Sequence, residues 1–138
     1  MAIYLQDPPP FVAEGIATAT RAFGRIADEA RAHGAAVAFV LMPARMDAND
    51  AEFERGSTAA APSGIRLKRH AATERFSTAL KPLGYPMLDL LPVYASADDI
   101  PTLHFVRNSH LTARGHQVTA DAMLRFLVAS GLVPGRRG

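Results

Sequence analysis

AAVAFVLM, residues 35–42, is an unbroken apolar run closed by Pro43. Eight apolar residues without alternation describe a strand covered on both faces, as in a parallel sheet flanked by helices. Immediately upstream, Val12, Ile16, Phe23, Ile26, Ala27 and Ala30 recur at helical spacing and predict a helix from Phe11 to His33. Glu14, Arg21, Arg25 and Asp28 lie on its outer face, and Gly34 stands where a helix C-terminus wants glycine. Downstream, Ile65, Ala72, Phe76 and Leu80 predict a helix over 65–81, ended by Pro82 and Gly84. A second apolar run follows, MLDLL at 87–91, closed by Pro92. Thr112 is an N-cap for a last helix reaching about Ser130, with Val118, Ala122, Met123, Phe126 and Leu127 facing the core. Gly131 and Pro134 close that helix.

The connecting segments read as follows. Residues 1–10 are a Pro-rich extended lead-in, in which Ala2–Leu5 is a candidate edge strand. Residues 44–64 contain Asn49-Asp50 and the small-residue stretch GSTAAAPSG, and read as a loop with one short helical turn near Ala51–Arg55. Residues 93–109 read as mostly irregular, and 132–138 as a flexible tail. The order helix, strand, loop, helix, strand, loop, helix is that of an α/β fold with parallel strands and helical crossovers. Two to three strands with three main helices leave at least one strand edge unpaired. Only Ala2–Leu5 is available to cover the vacant side of the 35–42 strand. The expectation is a homo-oligomer joined there, most simply a two-fold dimer, or else a complex with the missing half supplied in trans.

Composition sets the outer bounds. One domain is the natural reading of 138 residues, and 49% hydrophobic against 20% charged residues is enough for a modest core. Without cysteine there is neither a disulfide framework nor a thiolate metal site. Fifteen basic residues against 13 acidic ones is a small excess, although the pI is 9.4. The densest basic run, Arg66, Lys68, Arg69 and His70, reads as a solvated helix face, and a nucleic-acid surface wants more charge with interleaved aromatics. Arg136 and Arg137 sit in the Gly-rich tail and suggest no specific role. No apolar stretch reaches the roughly 18 residues of a membrane span, and no leader pattern opens the chain. That reads as cytoplasmic for the chain as given, and as cell envelope or secreted if a longer chain precedes it, so localisation stays unknown. His104, His110 and His116 fall at six-residue intervals, but no carboxylate joins them at ligand spacing. The expectation is no metal and no cofactor. Tyr94, just past the second run, reads as an aromatic covering the core.

The most specific segment is Leu103–Leu127, LHFVRNSHLTARGHQVTADAMLRFL. It resembles the last motif block of SGNH (GDSL-type) hydrolases, in which an aspartate precedes a histidine by two or three residues and a helix follows, often as HLTxxGH. His110-Leu111-Thr112 and Gly115-His116 carry that pattern. The order of Gly34, Met42-Pro43, the variable 44–64 stretch and Leu88-Asp89-Leu90 follows the family upstream. The resemblance covers nearly the whole chain and implies a partial flavodoxin-like (SGNH-type) parallel sheet. It also assigns His110 the position of the general base that takes a proton from a serine nucleophile, at the C-terminal sheet edge where open α/β sheets build sites.

Two departures qualify that expectation. Asn108 stands two residues before His110 and Arg107 three before, so neither position carries the acid that fixes the imidazole tautomer. The corresponding amide exchange in the Ser-His-Asp triad of serine proteases costs about 10⁴ in rate. Asp98 or Asp99 is a candidate substitute, and some members of the family act with a Ser-His pair alone. The family's nucleophile belongs to a Gly-Asp-Ser block, with oxyanion-hole glycine and asparagine in later loops, all upstream of the helix that opens this chain. Ser57, in ERGST, follows the wrong strand to replace it, and Asn49-Asp50 reads as a plain polar turn rather than the family's Gly-x-Asn-Asp block.

Two functions are compatible with these residues. The first is the C-terminal portion of an ester or acetyl-ester hydrolase, inactive alone, acting on an ester-bearing small molecule or glycan once a missing half completes it. The second is a degenerate α/β module that binds or assembles without catalysis.

Overall fold

The apolar runs become the two strands of a parallel sheet, β1 (Phe39–Leu41) and β2 (Met87–Asp89), in a computed structural model that describes residues 2–133. Phe39 pairs with Met87, Val40 with Leu88 and Leu41 with Asp89. Both strands are shorter than their apolar runs and half-buried, and Ala35, Ala36 and Met42 are exposed. Hydrogen bonds from Phe39 N to the Pro86 carbonyl and from Leu90 N to the Leu41 carbonyl extend the ladder at each end.

Helices cover both faces. The helix α1 (Pro10–Ala32) starts with proline at its first position, where no N–H is needed. It lays Phe23 edge-on against Phe39, which meets Tyr85 in the same way. The helix α4 (Ala71–Leu80) packs beside α1. On the opposite face Val40 and Leu88 pack against a core of Ala48, Leu90, Tyr94, Leu103 and Ala122. Those residues come from α2 (Arg45–Ala48), the junction between β2 and α5 (Leu91–Ala95), α5 itself, the loop after it, and α6 (Ala113–Ala129). The alternation of β1 thus sends neighbouring side chains to two different helical layers. The α/β architecture with a two-stranded parallel sheet and α1, α4 and α6 as main helices agrees with the partial SGNH-type fold that the resemblance implies.

Four expectations about local structure are corrected. Ala2–Leu5 forms no edge strand on β1. Ala2–Tyr4 is a 3₁₀ turn, Leu5 bridges antiparallel to Leu67, and Arg75 of α4 donates to the Ile3 and Leu5 carbonyls. That pairing also corrects the start of α4. Gln6 N donates to the Arg66 carbonyl and Lys68 N to the Tyr4 carbonyl, so residues 66–68 pair with the N-terminal segment and 69–70 turn. The helix begins only after His70, which adopts a left-handed conformation with φ 58°. The basic run is therefore a paired segment rather than a helix face: Arg66 meets Asp7, Lys68 meets Glu74 and Arg69 meets Asp50.

Residues 44–64 are mostly helical, as α2, α3 (Asp50–Ala60) and a 3₁₀ turn over Ala61–Ser63. Asn49 Oδ1 accepts from Glu52 N at 3.2 Å and caps α3, Phe53 is buried beneath it, and alanine is the best helix former in the stretch. Residues 93–109 contain the end of α5 and a 3₁₀ turn at Ile100–Thr102, and Asp89 Oδ1 accepts from Leu91 N at 2.8 Å where the chain turns into α5. The flexible tail expected at 132–138 lies outside the described residues from 134 onward, as does Pro134. Among the described residues no helix is long and apolar enough to cross a membrane.

Candidate functional site

A short hairpin carries the candidate base. Leu103–Phe105 and His110–Thr112 run antiparallel, with Phe105 N donating to the His110 carbonyl at 2.9 Å and Thr112 N to the Leu103 carbonyl at 3.0 Å. Residues 106–109 make the turn. Asn108 Oδ1 accepts from His110 N at 3.1 Å, an Asx-type contact that shapes the turn. Both backbone groups of His110 are thereby engaged, while its ring is exposed and takes no hydrogen bond from the described residues.

The base of the hairpin is locked to α6. Thr112 Oγ1 donates to the Thr102 carbonyl at 2.5 Å and accepts from Gly115 N at 3.1 Å, capping the helix. Gly115 lies so close to the hairpin that a Cβ there would stand 2.1 Å from the Leu103 carbonyl oxygen. Only glycine permits that approach. The HLTxxG spacing is thus explained by architecture: Leu111 packs against the core, Thr112 caps, and Gly115 allows contact.

The other side of the hairpin meets the start of α2, just past β1. Arg45 Nη1 donates to the Val106 carbonyl at 2.5 Å and the Phe105 carbonyl at 3.3 Å, while its Nη2 pairs with Glu52. Because β1 and β2 are parallel, this contact brings the His110 hairpin to the C-terminal side of the sheet, the edge where α/β folds bind ligands. Sequence reasoning did not single out Arg45. Its position after Pro43 was visible, but its acceptors lie 60 residues away.

The remaining candidates separate. Asn108 turns its carbonyl oxygen to the backbone, so it is not the ring's acceptor through that atom. Asp98 is exposed. Asp99 is held by Arg114 of α6 at 2.8 Å, which keeps its carboxyl below the ordinary range. His104 is buried at 6% exposure and packs edge-on against Tyr94, with ring centroids 5.8 Å apart. Burial, then the Arg45 charge, pushes its imidazole below the ordinary value. His116 is exposed in the first turn of α6. The three histidines therefore do not converge, and no described group of three His, Asp or Glu residues is arranged to hold a metal ion. Ser57 lies on α3, facing a shallow hollow lined by Gln6, Ala61, Gly64, Ile65, Arg66 and Leu67, which offers no histidine. Asn49 is the α3 cap rather than a ligand-binding asparagine. Tyr94 is fully buried on α5 and shares a 2.5 Å hydrogen bond with Thr119 of α6.

A second buried polar group escaped sequence reasoning. Asp47 of α2 is 1% exposed, accepts from Tyr4 Oη at 2.9 Å and from Thr73 Oγ1 at 3.4 Å, and leaves Oδ1 without a partner. Burial raises its pKa above the ordinary carboxylate range, with the hydrogen bonds opposing. No motif marked it, because its two partners come from two distant segments, the N-terminal 3₁₀ turn and α4.

A parallel sheet between helical layers, with a histidine hairpin leading into the last helix at the sheet's C-terminal edge, defines an SGNH hydrolase-like α/β domain. Residues 5–136 match the family model described as SGNH hydrolase-like domain, acetyltransferase AlgX, and the chain belongs to that family. No curated protein and no solved structure matches it.

Proposed function

We propose that the chain is the histidine-bearing portion of an acyl-ester enzyme, with His110 as general base, and that it does not complete the reaction alone. The family's description as an acetyltransferase favours acetyl as the acyl group and a hydroxyl-bearing small molecule or glycan as the other reactant. The observation that carries this reading is the mounting of His110: backbone fixed on both sides, ring exposed, at the sheet edge that serves as a binding edge. The nucleophile is sought in a Gly-Asp-Ser segment beyond these residues, and the oxyanion donors in loops that follow it, because no described serine donates to the His110 ring.

The test is hydrolysis of p-nitrophenyl acetate. The chain alone is expected to turn over at buffer background. With a Gly-Asp-Ser segment from the flanking reading frame supplied, turnover is expected to appear and to vanish in His110→Ala. Turnover by the chain alone that disappears in His110→Ala or Ser57→Ala refutes the dependence on a second segment. A completed enzyme indifferent to His110→Ala refutes the general-base role.

Asn108 favours a second reading, that of a binding or assembly module. Its side chain shapes the turn and supplies no charge to steady an imidazolium. Association is expected under either reading. Two strands leave an outer edge on each without a strand partner among the described residues, so a homo-oligomer joined at β1 is the proposed state. Light scattering at micromolar concentration decides it, and a thermally stable monomer counts against the proposal.

A further inference from the structure

We infer that Arg45 is a positioning residue for His110, its guanidinium tying the start of α2, just past β1, to the hairpin that carries the candidate base. The inference rests on the reading of His110 given above. Three acceptors meet one guanidinium: the Phe105 and Val106 carbonyls at Nη1, and the Glu52 carboxylate at Nη2. A planar fork of fixed N–H groups suits such a set, and a lysine ammonium on a flexible stem does not reproduce it. Both members of the ion pair are largely withdrawn from water, at 17% and 18% side-chain exposure, so the link is less screened than a surface pair.

The anchor is itself anchored. Asn49 caps α3 through Glu52 N, and Arg55 also reaches Glu52, at 3.0 Å. The guanidinium is therefore held against the first turn of α3 while it holds the hairpin. Across the hairpin, Phe105 N donates to the His110 carbonyl, so fixing the Phe105–Val106 backbone fixes the strand on which His110 stands. The opposite end of the hairpin is already locked by Thr112 and Gly115. Without Arg45 the turn at 106–109 would be supported from one end only, and His110 would wander relative to the strand ends.

Amide hydrogen exchange and histidine NMR on the chain test this directly. In Arg45→Met, exchange at Phe105 N–H is expected to rise about tenfold or more, the factor a charge-assisted hydrogen bond carries. Phe39 and Thr119 amides should stay protected. The His110 ring signals should shift or broaden, while those of His33 and His116 stay put. Arg45→Lys should recover only part of the protection. Glu52→Gln, which keeps the guanidinium but removes its carboxylate, should raise Phe105 exchange less than Arg45→Met does, and it serves if Arg45→Met fails to fold. Unchanged Phe105 exchange and unchanged His110 signals in both Arg45→Met and Glu52→Gln overturn the inference. A uniform rise at every amide overturns it too, since it would make Arg45 a stability residue only. These readouts report the link whether or not His110 moves a proton. Acetyl-ester turnover by the completed His110→Ala enzyme separately reports the reading beneath it.

Discussion

Replacing Gly115 with alanine tests the joint between the hairpin and α6 more sharply than any change at the exposed tip. The new Cβ would stand 2.1 Å from the Leu103 carbonyl oxygen, and 3.0 Å from both the Leu103 carbonyl carbon and Leu111 Cδ2. A tolerable C···O contact is about 3.3 Å, so helix and hairpin must separate by roughly 1 Å. The obstacle is backbone, which cannot turn aside as a side-chain tip does. Overpacking of this kind costs about 1–3 kcal/mol, and the backbone clash points to the upper end. Separation also strains the Thr112 cap on Gly115 N, worth about 1 kcal/mol. Higher helix propensity returns up to about 1 kcal/mol. The net expectation is a loss of about 2–3 kcal/mol, or roughly 10 °C in melting temperature for a domain of this size. Urea denaturation followed by circular dichroism measures it. Gly15→Ala on α1 is the control, since its Cβ meets nothing within 4 Å, and it should stabilise by about 0.5–1 kcal/mol. A Gly115→Ala protein within 0.5 kcal/mol of the parent would refute the close approach and the account of the motif built on it.

Two further outcomes follow from buried polar groups. His104 has a depressed folded-state pKa, so the unfolded chain binds the extra proton. Its stabilising contribution is full above about pH 6.5 and is lost as pH falls through the folded value. His104→Phe, which keeps a ring against Tyr94, should flatten that part of the pH–stability profile. An identical acid flank in both proteins would show the histidine is not buried neutral. Asp99 acts only at lower pH, its carboxyl being held down by Arg114, and Asp47 has the opposite sign, stabilising below its raised pKa and losing that contribution as pH rises through it. The comparison with His104→Phe isolates the histidine from both. Tyr4→Phe removes the 2.9 Å donor to Asp47 and leaves a nearly inaccessible carboxyl with only the 3.4 Å Thr73 contact. It should cost about 1–3 kcal/mol by urea denaturation, and a neutral result would mean Asp47 finds other partners.

The parts of the fold legible in the sequence are those set by neighbours in the chain. The apolar runs closed by Pro43 and Pro92 predict both strands, and their parallel order follows from the helices between them. Gly34, Thr112 and Gly131 mark helix ends because capping is a local event, and Gly34 and Gly131 do take positive φ. What misled was also local. GSTAAAPSG resembles a loop in composition, yet it is helical because Asn49 caps it and Phe53 anchors it from below. The late start of α4 is invisible from spacing, since it is imposed by pairing between Leu5 and Leu67. Arg45 and Asp47 were unreadable for the same reason. Their partners lie 60 and 43 residues away, and no periodicity encodes a side chain reaching a distant carbonyl or hydroxyl.

The same separation of local from distant divides the HLTxxGH motif into scaffold and chemistry. Leu111, Thr112 and Gly115 are accounted for by packing, capping and close approach, none of which needs a substrate. A chain that keeps them keeps the hairpin on α6 whether or not it catalyses anything. His110 differs: its ring contributes nothing to that joint and lies exposed, so the architecture gives no reason for imidazole there. Asn108 stands between the two. Its oxygen closes the turn on His110 N, a task an aspartate performs equally well. Retaining the turn therefore explains a short amide or acid at 108 and does not choose between them, whereas steadying an imidazolium requires the acid. Asn108→Asp keeps the turn and restores the charge. If His110 is the base, that substitution in the completed enzyme should raise acetyl-ester turnover by an order of magnitude or more, against the roughly 10⁴ lost by the reverse exchange in a serine-protease triad. Unchanged turnover, with His110→Ala still inactive, would place this enzyme among those that work with a Ser-His pair alone and would leave Asn108 a turn residue.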